Sequence, residues 1–170
     1  MSKFYILILL LILNVSAFSQ WFLQNSSTSE ALYYTKFINE STGWCVGQSK
    51  VLKTTNGGEN WINQSPSNTL FLRTGFFINQ NTGWIAGDED LILKTTTSGS
   101  SWIVQNGSSA VNWHSMFFIN DQTGWCAGSG GRIIKTTNAG LNWIVMNSGI
   151  TQYLYTIYFV TQNTGWAAGD

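Results

Sequence analysis

From residue 31 onward, apolar stretches of four to eight residues alternate with clusters of Gly, Asn, Asp and Ser, and no stretch shows helical spacing. Residues 70–79 form one apolar, β-rich run that ends in Asn79. Residues 82–87 (Thr-Gly-Trp-Ile-Ala-Gly) form a tight strand bounded by glycines. Residues 91–96 place Leu, Ile, Leu and Lys ahead of a Thr pair, and residues 102–105 follow a Ser/Gly turn. Short runs bounded by such clusters predict β-strands. Their connections are short enough for hairpins. The fold class expected is all-β.

The same pattern is written almost four times. Thr-Gly-Trp occurs at Thr42-Gly43-Trp44, Thr82-Gly83-Trp84, Thr123-Gly124-Trp125 and Thr164-Gly165-Trp166, at spacings of 40, 41 and 41. Lys-Thr-Thr recurs at Lys53, Lys94 and Lys135. A further tryptophan column holds Trp61, Trp102 and Trp143, and a phenylalanine column holds Phe37, Phe77, Phe118 and Phe159. Four columns in one register define a repeat of about 41 residues, and a four-stranded antiparallel unit of that period is the signature of a β-propeller blade. One such sheet cannot bury both of its faces alone, so the aromatic columns are expected to fill the space between neighbouring sheets.

The boundaries that follow are blade 1 at 31–69, blade 2 at 70–110, blade 3 at 111–151 and a partial blade 4 at 152–170. Residues 20–30 are expected to hold a lone closing strand and a linker, because Trp21-Phe22-Leu23-Gln24 aligns with Trp61-Ile62-Asn63-Gln64. The last unit stops at Asp170, before any Lys-Thr-Thr strand, so the ring is expected to be incomplete, at about three and a half blades. Rings hold about four to eight. The expectation is an N-terminal piece of a longer protein. The alternative is an open arc or an intermolecular assembly; an open arc would leave a strand edge and an aromatic face uncovered.

The turn between the third and fourth strands carries a family resemblance. Thr54-Thr55-Asn56-Gly57-Gly58-Glu59-Asn60-Trp61 has the spacing Ser/Thr-x-Asp-x-Gly-x-Thr-Trp of the Asp-box, with Asn56 in place of Asp. The segment from Thr136 through Asn138 and Gly140 to Trp143 repeats it. The segment from Thr95 through Gly99 to Trp102 is a weaker copy, with Thr97 at the acidic position. Together with the upstream Phe-Ile-Asn-x-x-Thr-Gly-Trp-x-x-Gly, the unit resembles the photosystem II assembly/stability factor repeats, a branch of the BNR/Asp-box, sialidase-like propellers. The resemblance covers residues 21–170 and implies the propeller fold. Function lives in sites grafted on a fold, so the resemblance implies much less about activity. The box residues Thr54, Asn56, Gly58, Trp61, Thr95, Gly99, Trp102, Thr136, Asn138, Gly140 and Trp143 are expected to be structural. A short Asn or Thr side chain can accept from nearby backbone N–H groups and hold a tight turn.

Residues 1–19 read as a secretory signal: one cation, Lys3, then an apolar run at 4–13, then Ala17-Phe18-Ser19 as a small-residue exit. The run is about ten residues, where a membrane-spanning helix needs roughly 20. An exported protein without a further membrane span is therefore expected, whether secreted, periplasmic or on the cell surface. Composition narrows the field. Eight Lys/Arg balance eight Asp/Glu and only 9% of residues are charged, so no basic excess exists to displace counterions from nucleic acid. A hydrophobic content of 44% argues against a disordered chain.

Catalytic chemistry finds little support. A sialidase-type site needs several arginines, and the chain has two, Arg73 and Arg132. No paired carboxylates stand at a spacing suited to glycoside hydrolysis, and no G-x-S-x-G elbow is present. Cys45 and Cys126 occupy one repeat column two blades apart, beyond disulfide reach, and are expected to be buried. Neither a metal nor a cofactor is expected. The run Asp88-Glu89-Asp90 is expected to be a solvated hairpin turn. One column varies while its scaffold stays fixed: Tyr33, Arg73, His114 and Tyr155 begin the first, innermost strand of successive repeats, four residues before the constant Phe. Two readings stand, a binding face near the central channel or strand ends that face water and tolerate any residue.

The function expected is a non-catalytic binding or scaffold module for a protein or glycan partner. The alternative is an accessory or catalytic propeller of a glycoside hydrolase with active-site residues elsewhere. The family name implies docking onto a photosystem protein, which requires a thylakoid-bearing source.

Overall fold

The computed structural model describes residues 22–67, 71–106 and 111–170. The signal-like stretch 1–19, Trp21 and Leu70 lie outside the described residues. Three four-stranded antiparallel sheets and one two-stranded sheet follow one another along the chain. Blade 1 comprises β1 (Leu32–Phe37), β2 (Gly43–Gly47), β3 (Lys50–Thr54) and β4 (Ile62–Asn63). Blade 2 comprises β5 (Leu72–Phe77), β6 (Gly83–Gly87), β7 (Leu91–Thr95) and β8 (Ile103–Asn106). Blade 3 comprises β9 (Trp113–Phe118), β10 (Gly124–Gly128), β11 (Ile133–Thr136) and β12 (Ile144–Met146). Blade 4 presents the hairpin β13 (Leu154–Thr161) and β14 (Thr164–Gly169). Within each sheet the strands lie in chain order. The first strands, β1, β5, β9 and β13, pack against one another in succession and line the hub, while β4, β8 and β12 form the outer edges. The described residues form part of a propeller ring that they do not close.

The recurring sequence columns are the parts of one joint. In each first hairpin the Phe pairs across the ladder with the Gly of Thr-Gly-Trp, as Phe77 does with Gly83. The ring lies flat over that glycine, and a Cβ on Gly83 would sit 2.3 Å from Phe77 Cδ1, closer than any real contact. Only glycine leaves room for the ring. The other face of that ring receives the Trp of the preceding blade: Trp44 stacks on Phe77 at 4.3 Å, Trp84 on Phe118 at 3.9 Å and Trp125 on Phe159 at 3.7 Å. The blade's own outer Trp closes the Phe edge-on, Trp102 at 6.4 Å from Phe77 and Trp143 at 6.0 Å from Phe118. The Lys of Lys-Thr-Thr sits across the ladder from the stacked Trp, with Nζ 5.1–5.3 Å from the rings of Trp44, Trp84 and Trp125, a cation–π geometry. The core accordingly lies between blades, in three clusters centred on Trp44, Trp84 and Trp125.

Polar side chains shape the turns. Asn39, Asn79 and Asn120 each accept from two backbone N–H groups of the turn before Thr-Gly-Trp, as Asn79 Oδ1 does from Asn81 at 2.9 Å and Thr82 at 2.8 Å. In the Asp-box-like turns, Thr54 and Thr136 Oγ1 each accept the N–H of Gly58 and Gly140 at 2.9 Å, while Asn56 and Asn138 Oδ1 accept Asn60 and Asn142 N–H. Thr97 substitutes its hydroxyl in the second copy, accepting Ser101 N–H at 3.0 Å, and Gly99 keeps the left-handed backbone at φ +90°. The weaker copy thus folds like the others, because a threonine hydroxyl reaches the same amide.

Residues 22–24 carry no assigned strand. Their surroundings still follow the repeat. Gln24 packs on Gly58 of the blade-1 box as Gln64 packs on Gly99 and Gln105 on Gly140. The cysteines are both free. Cys126 is fully buried between blades 2 and 3, whereas Cys45 is only half-buried, in contrast to the expectation. Its column faces the preceding blade, and among the described residues no blade precedes blade 1.

A candidate binding face at the hub

Tyr33, Arg73, His114 and Tyr155 are each the second residue of an inner strand. The residue before each points inward: Leu72, Trp113 and Leu154 are buried. In all four hairpins the ladder slips at this point, with Leu32 and Tyr34, Leu72 and Thr74, Trp113 and Ser115, and Leu154 and Thr156 paired, and the residue between them skipped. The four variable residues are therefore the extra residues of four β-bulges. A bulge bends its strand and re-aims one side chain. Sequence spacing found the column; only the register shows why it is free to vary.

The bulges bring these side chains into one row. The Arg73 guanidinium grips the Asp88 carboxylate through Nε and, at 3.0 Å, through Nη2, so Asp88 holds the guanidinium's pKa above its ordinary value, reinforced by nearby Tyr33. Beside it, His114 lies 5.3 Å from the Tyr155 ring and 5.9 Å from the Tyr153 ring, and those two tyrosines meet at 6.3 Å. Burial pushes the imidazole pKa down, and the Arg73 cation pushes it further, against a smaller opposing pull from Asp88. His114 Nε2 is shielded from solvent and has no hydrogen-bond partner among the described residues. At the end of the row, the Tyr155 hydroxyl donates to Asp170 at 3.3 Å. Tyr33 and Tyr155 are each about half exposed, at 51% and 50%. The row is an aromatic strip with one neutral imidazole and one ion pair set between tyrosines.

The acidic run is a correction to the solvated turn expected there. Asp88 closes the Arg73 pair, and Asp90 Oδ1 accepts the indole N–H of Trp113 at 2.9 Å. The hairpin places the run beside the next blade's inner strand, so two of its three acids have work to do at the hub; Glu89 stays exposed. No group of three or more potential metal ligands occurs among the described residues. Asp88 and Tyr153 are the members of the row that sequence reasoning missed. The fixed distance from Gly87 to the turn could have flagged Asp88. Tyr153 precedes its strand and carries no repeat signal.

The family model of the photosynthesis system II assembly factor YCF48 matches residues 13–106, which is 94 of the 170 residues. The chain belongs to that family. No curated protein matches the sequence. Among solved structures, it resembles YCF48 bound to a D1 peptide, at 21% identity and TM-score 0.67, over 75% of this chain and 43% of that one. YCF48 from Cyanidioschyzon merolae matches at 16% identity and TM-score 0.67, over 82% and 48%. The GH74 enzyme of Niastella koreensis matches at 14% identity and TM-score 0.64, over 81% and 26%. At these identities the structures share the fold with the chain. The chain spans less than half the length of the YCF48 structures it matches.

Proposed function

We propose that this YCF48-family chain is an exported, non-catalytic protein-binding module that takes an extended peptide segment across the hub row Tyr33, Arg73, His114 and Tyr155. The observation that carries the reading is the set of four bulges, which aim the varied side chains of a constant scaffold toward one strip. Exposed tyrosines offer rigid contact area at low entropic cost. The His114 ring, 5.3 Å from the Tyr155 ring and 5.9 Å from the Tyr153 ring, adds to that aromatic surface. That a family member is known bound to a D1 peptide supports peptide binding as the mode. Export rests on the Lys3 and 4–13 pattern of the N-terminus. Among the described residues no helix is long and apolar enough to cross a membrane.

The hydrolase reading has weaker support. GH74 neighbours share the fold, but Arg73, the one arginine in the row, is already paired with Asp88 and so is poorly placed to clamp a substrate carboxylate. The test is fluorescence anisotropy with a labelled D1 peptide and with peptides selected from a display library. The Arg73→Ala/His114→Ala variant is expected to lose at least about tenfold in affinity, the equivalent of about 1.4 kcal/mol. Unchanged affinity in that variant retires the hub row as the binding face.

A further inference from the structure

The strip at the hub mouth extends beyond its four bulge residues, and the main chain beside it is already committed. Phe71 and Tyr153 hold the same place in blades 2 and 4, two residues ahead of the bulge, and are 40% and 48% exposed. Tyr153 meets the His114 ring at 5.9 Å and the Tyr155 ring at 6.3 Å. Backbone groups next to these rings are taken by the turns between second and third strands. The Phe71 carbonyl accepts the Asp88 N–H at 2.8 Å, the Val111 carbonyl the Asp90 N–H at 2.8 Å, and the Asn112 carbonyl the Ser129 N–H at 3.0 Å. The Asn112 N–H in turn donates to Ser129 Oγ at 3.0 Å. A guest strand that pairs through its main chain therefore finds these groups occupied just ahead of Arg73 and His114. Charge is committed in the same way. His114 feels Arg73 and Asp88, and those two neutralise each other in a two-point pair. Glu89, exposed in the same turn, disfavours an acidic guest further.

We propose that the guest of this row is an uncharged, proline-rich segment in the polyproline II conformation, held by ring contacts; the proposal rests on the row being a peptide-binding face. Polyproline II has no internal hydrogen bonds and keeps its backbone solvated. It therefore asks nothing of a mouth whose amides are already paired. Proline-rich segments dock into aromatic-lined grooves, and the strip supplies such rings in Phe71, His114, Tyr153 and Tyr155. Tyrosine hydroxyls are donors that the exposed carbonyls of such a segment accept. Its conformation is formed before docking, so binding costs less ordering entropy than fixing a flexible chain. The other guests fit worse. An added β-strand needs an open main-chain edge, and a charged segment has to break the Arg73–Asp88 pair to find a partner.

Fluorescence anisotropy on the full chain tests this, with labelled peptides of about ten residues, roughly 31 Å long as polyproline II. One probe is a neutral peptide of proline and alanine. A second carries serine at each proline position, and a third keeps the prolines but replaces two alanines with glutamate. The proline–alanine probe is expected to bind at least about tenfold more tightly than either of the others. Phe71→Ser and Tyr153→Ser are each expected to weaken it by about fivefold or more. Both side chains are exposed enough that the native circular dichroism spectrum is expected to persist, which separates lost contact from lost folding. Full affinity in both variants overturns the proposal. So does a proline–alanine probe that binds no better than the serine probe. If the serine or glutamate probe then loses affinity in Arg73→Ala/His114→Ala, the row takes peptides of another class. If no probe responds to that double variant, the row itself fails as a binding face, and the proposal falls with it.

Discussion

Phe118 and Phe37 occupy the same motif position, over the same glycine and beside the same edge-on Trp, and differ chiefly in whether a preceding blade covers them. Replacing each with alanine therefore isolates the worth of one blade joint. Phe118 is 2% exposed and Phe37 39%. A phenylalanine has about 200 Å² to bury, so the difference corresponds to about 75 Å². At about 25 cal/mol per Å² that is about 2 kcal/mol. The indole stack, which Phe118 has with Trp84 at 3.9 Å and Phe37 lacks, adds about 0.5–1.5 kcal/mol. Truncating a buried phenylalanine costs about 3–5 kcal/mol in all, so Phe118→Ala is expected at the upper part of that range and Phe37→Ala near 1–2 kcal/mol. Urea unfolding followed by circular dichroism measures both. A blade array is close to a chain of nearest-neighbour units, so the Phe118 variant is also expected to broaden the transition as blades 2 and 3 uncouple. Equal losses for the two variants would show that the inter-blade stack contributes nothing beyond the packing inside each blade.

Two further outcomes are expected. Thr136→Val keeps the shape of a buried residue but strips Gly140 N–H and Asn138 of their partner. It is expected to cost about 1–3 kcal/mol in the same urea assay, the penalty for orphaned buried polar groups. His114, lowered by burial and by Arg73, binds its proton less readily folded than unfolded. Its contribution to stability is thus intact above its ordinary value of about 6.5 and declines as pH falls below it. NMR titration of the imidazole is expected to give a value under 6.5 that climbs in Arg73→Ala, where the cation is gone and Asp88 is left unpaired; no movement would break the assigned electrostatics.

The hub row shows where reading the chain in one dimension stops. Its column, Tyr33, Arg73, His114 and Tyr155, emerges from counting back four residues from each constant Phe. The bulge that aims those side chains depends on which residues pair across the hairpin, and a one-residue slip leaves composition and spacing unchanged. The acidic run departs from a solvated turn for a related reason. Asp88 and Asp90 look like turn residues along the chain, but Arg73 lies on the paired strand and Trp113 on the next blade, 23 residues beyond Asp90 in sequence.

What the chain determined unaided is the repeat: its period, its all-β character, the identity of the aromatic and glycine columns and the turns that Asn, Thr and Gly impose. These follow from local chemistry, in which a side chain meets its own hairpin a few residues away, and local chemistry recurs wherever the motif does. Three dimensions alone decided which half of each motif meets its complement. Phe118 and Phe37 read alike in one dimension, yet one is sealed under an indole and the other is open. That difference arises because burial is a property of neighbouring blades, and neighbours are set by packing across some 34 residues rather than by any residue's own type.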